Sequence, residues 1–170
     1  TEFVDLLIRA HASRCRLPAS MLATNLRVTQ RDGGVDTEVL QPMPGDDSGW
    51  FGVPTCWQYK SSKSTGITKK DLKNEIQKPY ASQLIQRGYG YRWCICDDIT
   101  AQKKADWKRI LENEVKSLRG QPDLVEILTA SDLADLASHY PAVAGWFVPA
   151  PTDRFLLFDD DREVELVWNG

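Results

Sequence analysis

The sequence predicts an α/β domain, a central sheet with helices packed against it. From Val53 onward, segments of strand character alternate with helical ones in the order strand, helix, strand, helix, strand, helix. The run Tyr91 to Cys96, YRWCIC, has the nearly unbroken apolar character of a strand covered on both faces. Between Ala101 and about Arg119, Trp107, Ile110, Leu111, Val115 and Leu118 recur at helical spacing, and Gly120 and Pro122 supply a stop. A chain of 170 residues, 42% hydrophobic and 26% charged, suits one domain with its own core.

In chain order, Glu2 to about Arg14 places Phe3, Leu6, Leu7 and Ala10 on one helical face, and LPASMLATN is expected to add a short helical piece with Pro18 in its first turn. Asn25 to Gln30 alternates like a strand. Val35 to Leu40 begins another, and the intervening Asp32-Gly33-Gly34 is a hairpin signal because glycine supplies positive backbone dihedrals. On that second strand Asp36 and Glu38 share one face, opposite Val35, Thr37 and Val39. After a polar loop from Gln41 to Gly52, Val53 to Lys60 reads as a strand with Cys56, Gln58 and Lys60 on one face and Trp57 and Tyr59 on the other.

Lys69 to about Arg87 is expected to be helical, kinked or broken at Pro79. Leu124 to Leu128 is the next strand, followed by a short helix capped by Ser131. Pro141 to Pro151, with Pro149 between, reads as extended, and Phe155 to Trp168 as a hairpin turning at Asp159 to Asp161. The division is then residues 1–148 as the principal domain and 149–170 as an extension or the start of a further module.

Several classes are excluded or disfavoured. No apolar run is long enough to span a membrane, and the amino-terminal stretch carries Glu2 and Asp5 among its apolar positions, unlike a secretory leader, so a cytoplasmic location is expected. Cys15, Cys56, Cys94 and Cys96 lack C-x-x-C pairs; His11 and Cys15 share a helix face but alone make only half of a zinc set. Neither a phosphate-loop glycine pattern nor a G-x-S-x-G elbow occurs. A net charge of -3 argues against bulk coating of nucleic acid. From Lys60 to Lys78, however, six lysines face two acids, Asp71 and Glu75, a local charge of +4.

The stretch Gly33 to Ser62 holds the chemistry. Metal-assisted phosphodiester cleavage needs oxygen ligands for Mg²⁺ (or Mn²⁺), an attacking water and a cation near the phosphate. Asp36 on one strand, the Gln58 amide oxygen and the Tyr59 carbonyl can hold the metal, and Lys60 can orient the water and stabilise charge in the transition state. Read singly, Asp36 is a turn acid and Lys60 a solvated strand end. Together they form a constellation.

That constellation, GGVD followed by WQYK with a helix before and a helix and strand after, resembles the PD-(D/E)xK restriction-endonuclease-like superfamily, its Mrr-like branch in particular. The resemblance spans about Glu2 to Ile95. It implies a central mixed sheet flanked by helices, a magnesium-dependent DNA endonuclease activity, double-stranded DNA as partner, and a role as effector domain of a prokaryotic antiviral protein. It matches Asp36, Gln58 and Lys60 to the core positions and Glu2 to an acid of the first helix that faces the metal. Gln58 departs from the commoner acid, and Val35 stands where a proline is common. Lys63, Lys69, Lys70 and Lys73 are the expected DNA contacts, and pairing of copies, directly or through an attached domain, is expected for cutting two strands. The alternative is a catalytically silent module of the same fold that binds nucleic acid or a protein.

Overall fold

Five strands form one mixed sheet in the spatial order β1-β2-β3-β4-β5. A computed structural model provides the coordinates and describes residues 2–24, 33–120 and 124–147. The strands are β1 (Leu22–Thr24), β2 (Thr37–Val39), β3 (Thr55–Lys60), β4 (Gly90–Ile95) and β5 (Val125–Leu128). β1, β2 and β3 pair antiparallel, whereas β3, β4 and β5 pair parallel. Parallel neighbours require crossovers, and helices supply them. α2 (Lys69–Ile76) and α3 (Pro79–Gln86) link β3 to β4, and α4 (Ala101–Arg119) links β4 to β5. α1 (Glu2–Arg14) precedes the sheet, and α5 (Ala130–Ser138) and α6 (Pro141–Phe147) follow it. None of the described helices is long and apolar enough to cross a membrane.

Alternation along the central strands divides the core in two. Cys56, Tyr91, Trp93, Ile95, Val125 and Ile127 face Leu72, Ile76, Leu84, Ile85, Trp107, Leu111 and Val115 of α2, α3 and α4. Trp57, Tyr59, Cys94 and Leu128 face Val4, Leu7 and Ile8 of α1, Leu133 and Leu136 of α5, and the loop residues Met43 and Phe51. Trp57, Trp93, Tyr91 and Phe51 are fully enclosed. Truncating an aromatic of this kind to alanine costs about 3–5 kcal/mol, so these four anchor the sheet more firmly than its short edge strands. The 3.6-residue period of α4 matches the sequence reading, as does the alternation of β3, whereas the buried face of α1 carries Val4, Leu7, Ile8, His11 and Ala12 and shares only Leu7 with the expected Phe3, Leu6, Leu7 and Ala10. Pro79 breaks the expected long helix and stands at the first position of α3, where its missing N–H leaves no bond unmade.

Other expectations are corrected. β1 begins within LPASMLATN, after a single 3₁₀ turn at Ala19–Met21, so only part of that segment is helical. The expected strand Asn25 to Gln30 and the hairpin from Phe155 to Trp168 lie outside the described residues, as does the segment 149–170. α5 is capped by Thr129, not Ser131: Thr129 and Asp132, three residues on, form a reciprocal capping box. Pro141–Phe147 is helical rather than extended, with Phe147 packed edge-on against Phe3 of α1.

β4 carries one polar exception, Arg92, which is 4% exposed. Its Nε and Nη2 donate to the Trp50 carbonyl at 2.9 and 2.6 Å, and Nη1 donates to the Leu124 carbonyl at 2.9 Å. Burial lowers its pKa, although an arginine starts so high that it keeps its proton. The guanidinium thereby ties the loop before β3 and the entry to β5 onto the central strand. Replacing Arg92 by Met removes the donors and leaves buried carbonyls bare, which is expected to cost about 3 kcal/mol. Urea unfolding followed by tryptophan fluorescence measures this, and a loss below about 0.5 kcal/mol, within the range of an ordinary surface change, would refute the assigned role.

Candidate functional site at the end of strand β3

The Gly33-Gly34 turn fixes where Asp36 lies. Both glycines have positive φ, 62° and 90°. A Cβ at Gly33 would stand 2.6 Å from the Tyr80 Cβ, and one at Gly34 would stand 2.7 Å from the Glu75 carbonyl oxygen. The Gly33 carbonyl accepts the Ala81 N–H at 3.1 Å. The turn is thus pressed into the junction between α2 and α3, a closeness only residues without side chains allow. Asp36 follows it one residue before β2, with its N–H bonded to the Trp57 carbonyl at 2.7 Å.

From that position the Asp36 carboxylate reaches β3. Its Oδ2 accepts the Gln58 side-chain amide at 2.7 Å and the Tyr59 N–H at 2.6 Å. The structure therefore brings Asp36, Gln58 and Tyr59 together. Gln58 is 2% exposed, and its Oε1 is buried with no hydrogen-bond partner among the described residues. Trp93, opposite Gln58 in the β3–β4 register and on the same sheet face, likewise leaves its buried Nε1 without a partner. An unmade bond at a buried polar atom costs about 1–3 kcal/mol, so an orphan acceptor beside a carboxylate is an uncommon arrangement.

Lys60 sits at the carboxyl end of β3, half-buried, 5.6 Å from the centroid of the Trp93 ring. Its Nζ donates to Glu75 Oε1 at 2.7 Å, and Lys78 forms a second ion pair with the same carboxylate. Glu75 was not anticipated beyond its charge. Its position on α2, fifteen residues after Lys60 across a loop, carries no local signal of pairing. Glu38 does share the general face of Asp36, but it is buried and accepts the Tyr80 hydroxyl at 2.5 Å, a bond that with burial raises that phenol to about 12.

Glu2 is exposed in the first turn of α1 and forms no hydrogen bond or ion pair among the described residues. The acid of α1 that reaches the sheet is Asp5. It is 4% exposed, paired with Arg9 at 2.8 Å, and accepts the Thr24 and Thr37 hydroxyls at 2.5 and 3.3 Å. Burial pushes the Tyr59 phenol well above its usual range, and the negative charges of Asp5 and Asp36 add to the effect. Periodicity could have separated the two acids: Asp5 falls beside Val4 and one turn from Ile8 on the buried face, and Glu2 does not.

Of the four lysines expected to contact DNA, Lys73 is paired with Glu114 at 2.7 Å. Lys63, Lys69 and Lys70 are exposed and in no ion pair among the described residues. Lys69 and Lys70 occupy the first turn of α2, behind the Thr68–Asp71 capping box. The loop leading there is held at the ends of the parallel strands: the Ser64 N–H donates to Asp97 at 2.8 Å and Lys103 donates to the Ser64 carbonyl at 3.0 Å.

A hard dication such as Mg²⁺ takes oxygen ligands and often only one or two carboxylates, with waters and substrate phosphate completing its shell. The Asp36 carboxylate and the Gln58 side-chain oxygen are donors of that kind, although the amide turns its nitrogen to Asp36, so its oxygen joins the carboxylate at a shared ion only once the amide turns over. They supply little negative charge. Comparison with models of known protein families, with curated proteins and with solved structures finds no match for this chain.

The packing of the Gly-Gly turn yields a direct expectation. Gly34→Ala demands a strained left-handed conformation and a shift of the Glu75 backbone, costing about 1–3 kcal/mol from strain alone. Gly45→Ala, also at positive φ but with open space around it, is the control for strain without contact. Equal melting temperatures for the two variants would show that the close approach of turn and helix is not what positions Asp36.

Proposed function

We propose that this domain is a metal-dependent endonuclease acting on DNA, resembling the PD-(D/E)xK nucleases, with Asp36, Gln58 and Lys60 at its centre. The observation that carries the reading is the contact of Asp36 with both Gln58 and Tyr59, with Lys60 following at the end of the same strand. The site also lies at the carboxyl end of a parallel strand in an open α/β sheet, where such sheets bind their ligands. The antiparallel and parallel halves of the sheet meet on β3.

In this proposal Asp36 and Gln58 Oε1 hold Mg²⁺ or Mn²⁺, with the Tyr59 carbonyl as a further oxygen donor. The ion supplies charge neutralisation at the scissile phosphate and a more acidic bound water. Lys60 provides a fixed positive charge beside the phosphate, and its ammonium group stabilises the negative charge that builds in the transition state. Glu75 is a positioning residue: its bond to Nζ aims the lysine and holds it against the Trp93 face.

Lys69 and Lys70 support a polyanionic partner. Cations in the first turn of a helix oppose its dipole by a few tenths of a kcal/mol or more, and phosphate near that end reverses the penalty. Double-stranded DNA, assembly of two copies and an antiviral role come from the resemblance. The second reading, a silent binding module, draws on the same contacts, because Lys60 is already engaged by Glu75 and no group of three or more His, Cys, Asp or Glu ligands among the described residues includes Asp36.

Plasmid nicking in Mg²⁺ or Mn²⁺ separates the two. Asp36→Ala and Lys60→Ala are expected to lose at least about 100-fold in rate while keeping a native circular dichroism spectrum, and Glu75→Gln to lose about tenfold. Parent and variants that cut alike would mean that the activity belongs elsewhere. A folded, DNA-binding but uncutting parent would favour the silent module. Lys69→Glu with Lys70→Glu is expected to weaken DNA binding and flatten its salt dependence by about two charges. Binding of this double variant at the parental level across salt concentrations would remove α2 from the interface.

A further inference from the structure

On the opposite side of the sheet from Lys60, α1 and the loop following β2 bring three potential metal ligands together, His11, Asp46 and Asp47, with the Cys15 sulfur beside the first of them. His11 and Cys15 are one helical turn apart, so they project from the same face of α1. His11 is fully buried, with its Nε2 2.9 Å from Asp46 Oδ1 and 3.6 Å from the Cys15 sulfur. One ligand atom each from His11, Asp46 and Asp47 lies within 4.8 Å of the others. We propose that His11, Cys15, Asp46 and Asp47 form a binding site for a borderline-soft transition-metal dication of the zinc type, independent of the Asp36 site.

Two of the ligand separations can be compared with those of a tetrahedral ion; the Cys15 sulfur lies outside the set of atoms within 4.8 Å of one another and has to swing toward Asp46 and Asp47 to complete it. With zinc–sulfur and zinc–nitrogen bonds of about 2.3 and 2.0–2.1 Å, ligand sulfur and nitrogen stand about 3.6 Å apart, and nitrogen and oxygen about 3.4 Å. The first matches the spacing of Cys15 and His11. The second requires Asp46 to withdraw from His11 by roughly half an ångström, since the present contact is a hydrogen bond. The other ring nitrogen, Nδ1, lies 2.8 Å from the Tyr140 hydroxyl, the kind of outer partner that orients a ligating imidazole. Phe51 stacks on the ring with centroids 5.0 Å apart, excluding water from one side.

The simpler structural account is that His11 and Asp46 pin the loop. Asp46 does this amply, since it also accepts the Ser48 N–H and hydroxyl and the Phe51 N–H. Although burial opposes ionisation, these bonds and the one from His11 hold Asp46 below the usual carboxylate range. A loop staple requires neither a thiol directed at the same nitrogen nor a second carboxylate within reach. Those two features select a metal. An open cavity of about 470 Å³ lined by Cys15 and Asp47, with Arg14, Arg16, Pro44 and Gly45, provides the way in. A mixed sulfur, nitrogen and oxygen set favours zinc-like ions over magnesium or calcium.

With the ring proton on Nε2, His11 donates to Asp46 and its Nδ1 accepts from Tyr140. With metal, Nε2 ligates, the ring proton stands on Nδ1 and is donated to the Tyr140 oxygen, and Cys15 gives up one proton to solvent. Arg14, paired with Asp47, and Arg16 are the cations at the rim that oppose binding.

The test is titration of the chelator-stripped chain with Co²⁺, and with Zn²⁺ against a chromophoric chelator. One equivalent is expected to bind, with tetrahedral d–d absorption and a near-ultraviolet thiolate-to-cobalt charge-transfer band. Cys15→Ser is expected to abolish that band and weaken binding more than about tenfold, and Asp47→Asn to weaken it about tenfold. Both ligand changes are near-isosteric, which spares the buried His11. Absence of stoichiometric binding by the parent, or a charge-transfer band that persists in Cys15→Ser, would overturn the assignment.

Discussion

Gln58 and Lys60 end a strand that is otherwise fully enclosed, and satisfying those two polar side chains governs the arrangement around them. A glutamine at 2% exposure must find a partner or forfeit about 1–3 kcal/mol for each bare group. Its nitrogen finds Asp36. The lysine finds Glu75, and its ammonium stands over the Trp93 ring. Both partners depend on one contact elsewhere, the Gly33-Gly34 turn against the α2–α3 junction, because that contact sets the distance between the strand bearing Asp36 and the helix bearing Glu75. Sheet, turn and helix pair are therefore one mechanical unit, and a change at a glycine with no chemistry of its own is felt at the carboxylate.

The loop between β2 and β3 is organised by the same rule on the other face. Arg92 reaches into it from β4 to bond the Trp50 carbonyl, and Asp46 turns inward to gather the N–H groups of Ser48 and Phe51 along with His11. Ring stacking of Phe51 between His11 and Trp57 closes the gap. A polar loop of this composition would ordinarily lie over the surface. Here it contributes Met43 and Phe51 to the core because its backbone groups are bonded from both sides. That burial is what brings Asp46 and Asp47 to the end of α1.

Local rules made much of this legible. The period of α4, the glycine after it in the left-handed conformation, the break at Pro79 and the two faces of β3 all follow from side-chain spacing and backbone sterics, which act within a few residues. The joining of Asp36 to Gln58 was legible because a turn and an alternation together specify a face. What escaped the sequence was set by tertiary contacts. β1 is only three residues long and takes its register from Thr37–Val39, so its own residues, Leu-Ala-Thr, carry little β preference. α6 starts at Pro141, a favoured first helical position, and packs against Phe3 of α1 through Phe147. Glu75 and Asp46 find their partners fifteen and thirty-five residues away in the sequence, a separation over which spacing says nothing.

Charge accounts for the character proposed for the Asp36 site. Asp36 and Glu75 bring two negative charges, Lys60 and Lys78 two positive ones, and Gln58 none, so the cluster is balanced before any ligand arrives. A phosphodiester entering such a cluster adds a negative charge that the resident groups do not neutralise. A dication arriving with it restores the balance and meets the buried Gln58 oxygen, which has no donor among the described residues. Each is therefore poorly held alone and better held with the other. In a site with an acid in place of Gln58 the metal would bind first and wait. With the amide, metal and nucleic acid are expected to bind cooperatively, which ties the activity proposed here to the concentration of DNA at the site, and so to whatever gathers copies of the domain along it.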